Sequence, residues 1–196
     1  MKETLKKTFY LLVVFSMPVI VSAQVDHFGV VDTIFTDITK LDSHNWAITV
    51  SFTNDEKVSA LSVPLKMTAG LNRIVADSAV FTGGRAEAFA YKGFRPDTAI
   101  QGVLLGMIAN LGPTQNELTP GSGRLVTVYV SSIENKPIEK LEVDTTTLHP
   151  NNSLLVMADR SELDPETDTV PVHLSKKLEI QPVFVVRHEK PAKVDE

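Results

Sequence analysis

Over residues 46–53 the chain alternates strictly, with Trp46, Ile48, Val50 and Phe52 on one parity and Ala47, Thr49, Ser51 and Thr53 on the other. A period of two separates these sets onto opposite faces of a pleated strand, so the segment predicts a strand buried on one side. Asn54-Asp55-Glu56-Lys57 follows as a polar turn, and then Leu61, Val63, Leu65 and Met67 alternate with Ser62, Pro64, Lys66 and Thr68. The two segments predict a hairpin, or two strands joined at one end. Pro64 has no N–H for a ladder and is expected at an edge or bulge. Further strands are predicted over 31–38, 73–81, 99–109, 124–131, 140–143, 153–158 and 178–186, spaced by Gly, Pro, Asn and Asp clusters. Residues 85–92 fit either a helical turn or a short strand. No long segment has helical periodicity and no solenoid repeat recurs. Short strands with turn signals between them predict an all-β antiparallel sandwich.

The N-terminus departs from this pattern. Lys2, Lys6 and Lys7 precede an apolar run from Phe9 to Val21, and Val21-Ser22-Ala23 closes it. A basic front, a short apolar core and a small-residue exit are the parts of a secretory signal peptide. Residues 1–23 are therefore expected to be cleaved after Ala23, giving a secreted or periplasmic product. Ser16 and Pro18 interrupt the run, which is shorter than the roughly 20 residues of a spanning helix, so no membrane span is expected after cleavage. The 196 residues then resolve into the leader, one domain over 24–187 and a charged tail over 188–196.

Composition narrows the chemistry. The chain has no cysteine, which excludes disulfide scaffolds, thiolate metal centres and thiol nucleophiles, so the core alone must hold the fold. Its net charge is −5, and loss of the Lys-rich leader makes the remainder more acidic still. Binding to phosphate backbones draws on a basic surface, so nucleic acid is not an expected partner.

The segment from Asn45 to Met67, followed later by Pro120-Gly121-Ser122-Gly123-Arg124-Leu125-Val126-Thr127-Val128-Tyr129-Val130, resembles the cohesin domain. That family shows an alternating strand, an Asn-containing turn, a second alternating strand, and later a Gly-Ser-Gly-x-Leu strand. The resemblance implies a jelly roll of about nine strands, related in fold to some cellulose-binding modules, whose members dock a partner called dockerin. This chain departs from the family after Leu65, where Lys66-Met67-Thr68 replaces the usual aromatic and Asp. It carries no calcium loop of the dockerin kind, so the resemblance makes it the receptor side. Read without the family, Gly121 and Gly123 allow a sharp turn into a strand.

Residues 102–109, Gly-Val-Leu-Leu-Gly-Met-Ile-Ala, are apolar on both parities, so something must cover the second face. Either the connection over 111–120 lies on it, or it is an exposed patch for a protein partner. In the second case the outward contacts would be Leu104 and Ile108, with Ser62 and Lys66 on a neighbouring strand. Sugar binding needs exposed aromatic faces. Trp46 shares the parity of core residues, which leaves Tyr91 and Phe94, in a loop containing Gly93, together with Arg95. Asp159, Asp164, Glu166 and Asp168 read as a solvated acidic loop rather than a calcium site, because EF-hand spacing and its turn glycine are missing. The five histidines are scattered without zinc-ligand spacing, and no nucleophile elbow or phosphate loop occurs; Gly83-Gly84-Arg85 is too short for one. No cofactor or metal is indicated. The sequence reading is an exported, non-catalytic binding module that recognises a dockerin-bearing or otherwise exported protein partner through a sheet face; the alternatives are a carbohydrate-binding module or a structural envelope protein.

Overall fold

The computed structural model describes residues 30–111, 116–159 and 177–188. Residues 1–29 (the expected signal peptide included), the acidic run after Asp159 and the tail after His188 lie outside the described residues. Among the described residues eleven strands form, in chain order β1 (Thr33–Lys40), β2 (Asn45–Asn54), β3 (Lys57–Thr68), β4 (Ile74–Val80), β5 (Tyr91–Asp97), β6 (Gly102–Ile108), β7 (Gly121–Ser132), β8 (Glu142–Thr145), β9 (Leu155–Asp159), β10 (Lys177–Ile180) and β11 (Val183–His188). One sheet runs β11-β1-β2-β7-β4 and the other β10-β9-β3-β6-β5, with β8 also pairing to β3.

The alternation of β2 does what its period requires. Ile48, Val50 and Phe52 are fully buried and Trp46 nearly so. Opposite them Leu61, Val63, Leu65 and Met67 of β3 and Val103, Leu105 and Met107 of β6 close the core between the sheets. Burying each such side chain contributes about 1.5–3 kcal/mol, which is how a chain without disulfides holds two sheets together. β2 and β3 do not pair as a hairpin. They belong to different sheets, and Asp55-Glu56 is the crossover between the layers.

Three expectations need correction. The strand count exceeds nine, because the single strand predicted over 178–186 is two, β10 and β11, in separate sheets, broken at Gln181-Pro182. Residues 91–97, read as a loop, form edge strand β5, paired along β6 from Tyr91↔Ile108 to Asp97↔Gly102. Gly93 and Pro96 erased its strand signal. The Gly121-Ser122-Gly123 stretch is not a corner; it is already ladder, facing Asn54, Thr53 and Phe52 of β2.

Those glycines make room for Arg85. The φ angles of Gly121 and Gly123 are +146° and +157°, and a β-carbon on Gly123 would sit 3.1 Å from the Arg85 Cδ. The Arg85 guanidinium donates to the carbonyls of Phe52 (2.8 Å), Gly121 (2.9 Å) and Thr119 (2.6 Å), strapping the β4–β5 connection over the end of the sandwich.

Two edges carry irregularities. β4 bulges at Asp77, where its register against β7 shifts between Ala76 and Ser78. β5 carries Lys92, Arg95 and Pro96. On the far edge of the first sheet, β11 lies parallel to β1, and Arg187 spans that ladder to Asp37 at 2.7 Å while stacking on Phe35.

Candidate functional site

Strand parity decides what the outer face of the β10-β9-β3-β6-β5 sheet presents. With Leu61, Val63 and Leu65 inward, Ala60, Ser62, Pro64 and Lys66 face out; with Val103, Leu105 and Met107 inward, so do Leu104, Gly106 and Ile108. The registers then align outward residues into rows across the strands. Tyr91, Ile108, Ala60 and Met157 make one row, and Arg95, Leu104 and Pro64 another. Between them runs Gly93, Gly106, Ser62 and Leu155. Because two glycines and a serine have almost no side chain, this middle row is the floor of a trough that crosses β5, β6 and β3.

The trough encloses about 380 Å³ and is lined mainly by apolar groups, with Arg95 and Asn152 at its rim. At strand spacings of ~4.8 Å and a rise of ~3.3 Å per residue, it is roughly 15 Å long and flanked by rows about 13 Å apart, enough for one rank of side chains from another protein. Tyr91, 48% exposed, lies in it: a β-carbon on Gly93 would meet the Tyr91 Oη at 2.5 Å, and one on Gly106 would meet its Cε1 at 3.7 Å. Ile108 is 37% exposed. The Ser62 hydroxyl on the floor is buried and has no hydrogen-bond partner among the described residues.

The far end of this face is covered, though by a different segment from the one expected. The connection 146–154 crosses it: Leu148 and Asn152 exchange backbone hydrogen bonds at 2.9 and 2.7 Å, and Arg95 on β5 donates to the carbonyl of His149 at 2.7 Å. Leu148 is buried outside the inter-sheet core. From the connection over 111–120, Leu118 instead pairs with Val58 at the end of the sandwich.

The nominated residues fall out as follows. Ser62, Leu104 and Ile108 line the trough, and Lys66 stands exposed on the same face beyond it, beside Asp144 of β8. Tyr91 and Arg95 belong to the same surface. Phe94 does not form an exposed pair with Tyr91, because its parity packs it against the core. Trp46 is core as expected, its ring also covered by Lys40 at 5.6 Å. Leu155, Met157 and Asn152 were missed; they join the site only because β9 pairs with β3, a contact about a hundred residues apart that no local pattern encodes.

A second polar feature escaped the sequence reading. Asp32, just before β1, meets Asp55 and Glu56 of the crossover, one carboxylate oxygen from each lying within 4.8 Å of the others. Asp32 and Glu56 are buried at 0% and 3% exposure. Burial first, and then the neighbouring carboxyls of Asp55 and Asp32, push the Glu56 carboxyl up to about 9. The visible signal was Asp32 set among Val30, Val31 and Ile34.

No protein-family profile matches the chain, and no curated protein matches it. Solved structures do. The seventh ScaB type I cohesin of Pseudobacteroides cellulosolvens superposes with a TM-score of 0.50 at 8% identity, covering 84% of this chain and 97% of that one. The sixth cohesin of Acetivibrio cellulolyticus scaffoldin B, solved with a mutant Cel5 dockerin, gives 0.49 at 10% identity over 69% and 90%. The first of these establishes a cohesin-like fold.

Proposed function

We propose that this cohesin-fold chain is an exported, non-catalytic receptor that binds a protein partner through the trough on the β9-β3-β6-β5 face. The observation that carries the reading is the trough itself, an apolar channel floored by Gly93, Gly106 and Ser62 and walled by Tyr91, Ile108, Met157 and Leu104. An open apolar depression on a monomer's surface marks a place where another molecule desolvates it. Its walls stand on a paired sheet rather than on loops, so little conformational entropy is lost when a partner docks. The cohesin-like fold supports a dockerin-type domain as that partner, and the leader at Lys2–Ala23 supports export. Among the described residues the same face presents one exposed aromatic ring, Tyr91, where stacking on a polysaccharide calls for a row of them.

The test uses dockerin domains encoded by the source organism, calcium-loaded, in titration calorimetry against the purified chain. Saturable binding that is lost in Gly106→Leu is the expected result, because a leucine there fills the channel from its floor. Failure of every dockerin to bind, or binding undiminished in a folded Gly106→Leu protein, overturns the proposal.

A further inference from the structure

The Asp32, Asp55 and Glu56 cluster lies at the end of the sandwich, apart from the trough, on residues that the binding face does not use. It consists of acceptors only. Glu56 is 97% buried, and neither of its carboxylate oxygens has a hydrogen-bond partner, although the side chain is directed at the other two acids. Asp55 Oδ2 accepts from the Val30 amide at 2.6 Å, while its Oδ1 is buried without a partner. The same turn carries a further buried, unpartnered oxygen, Asn54 Oδ1. A concentration of buried acceptors with so few donors calls for a positive centre.

The charge of Arg85 reaches Asp32, but three of its five guanidinium hydrogens are committed to the carbonyls of Phe52, Thr119 and Gly121. An all-carboxylate donor set suits a hard divalent cation. Calcium accepts irregular oxygen geometry, whereas magnesium demands a near-ideal octahedron and gives up its water reluctantly; the three oxygens, from two separate segments of the chain, lie within 4.8 Å of one another.

We infer that Asp32, Asp55 and Glu56 form a structural calcium site. Its position gives it a purpose. Asp32 leads into β1 and its carbonyl accepts the Val183 amide at the start of β11, while Asp55 and Glu56 are the crossover from β2 to β3. An ion held here ties the entrance of the chain to the link between the two sheets.

The purified chain is stripped with chelator and its thermal midpoint followed as calcium is added, with magnesium in parallel. With a dissociation constant of about 1 mM, in the range of extracellular calcium modules, about 10 mM calcium raises the midpoint by about 3–6 °C. Magnesium raises it much less. Glu56→Gln keeps the side chain's shape, removes one of the three ionisable ligands and abolishes the calcium response; Asp55→Asn serves as the second variant should Glu56→Gln not fold. A midpoint in the parent that calcium does not move, as when a shared proton alone relieves the cluster, overturns the inference. So does a folded variant that responds to calcium as the parent does.

Discussion

Replacing Arg85 by methionine tests whether the strap across the sandwich end contributes to the fold. Methionine retains the apolar stem that lies against Gly123 and removes the guanidinium, which lies against Gly121. The bond to the Phe52 carbonyl is part-buried and charge-assisted, a kind worth about 1.5–3 kcal/mol when lost. The bonds to Gly121 and Thr119 face solvent, and water replaces most of their value, leaving roughly 0.5 kcal/mol each. Relief of the guanidinium's own burial, which holds its pKa below the usual value, offsets part of the loss. The net is about 1.5–3 kcal/mol. In urea, with m near 2 kcal/mol/M, the midpoint falls by about 1 M at unchanged m. Arg85→Lys, which can reach one carbonyl at a time, recovers roughly a third of this. A cycle with Gly123→Ala sharpens the test: the added methyl presses on the Arg85 stem at 3.1 Å, so its cost shrinks in an Arg85→Ala background while the part due to its φ of +157° persists. An Arg85→Met protein within about 0.5 kcal/mol of the parent refutes the strap.

Two further outcomes follow from named geometry. Gly93→Ala drives the Tyr91 ring out of the trough, because the new methyl would overlap Oη, Cε1 and Cζ; the fold loses under about 1 kcal/mol. The proton NMR contact between the Tyr91 ring and Gly106 disappears, and its persistence would contradict the placement of the ring. Asp42 is held below its ordinary value of 3.8, first by the Asn45 side-chain amide and then by the His44 N–H. Its contribution is therefore present above 3.8 and lost as pH falls through the lowered value. The His44 and Asn45 amide shifts should titrate with a midpoint under 3.8, and a midpoint at or above it would dismiss the turn.

What the chain revealed in advance depended on how local each signal was. The alternation in β2 and β3 was legible because one residue in two is apolar over a full strand, and it also selected Trp46 for the core. Leu104, Ile108, Ser62 and Lys66 could be nominated because an apolar run on both parities must have a second face. The trough itself was not legible. Its floor depends on Gly93 falling opposite Gly106, a register set by tertiary pairing, and β5 was hidden because glycine and proline carry no strand preference. Likewise Gly-Ser-Gly was visible, but its reason, the side chain of Arg85, comes from a segment read as too short for a phosphate loop. The acid cluster needed Asp32 to meet a crossover more than twenty residues away in sequence.

The irregular margins of β4 and β5 have a consequence for the behaviour of the protein at high concentration. A long straight margin is a template on which another copy can add a strand and begin a fibril. The Asp77 bulge makes the β4 margin crooked, and Pro96 with its cationic neighbours Lys92 and Arg95 denies the β5 margin a continuous run of donors and makes approach of a like margin repulsive. At these two margins a second copy should therefore fail to add a strand even where crowding is severe.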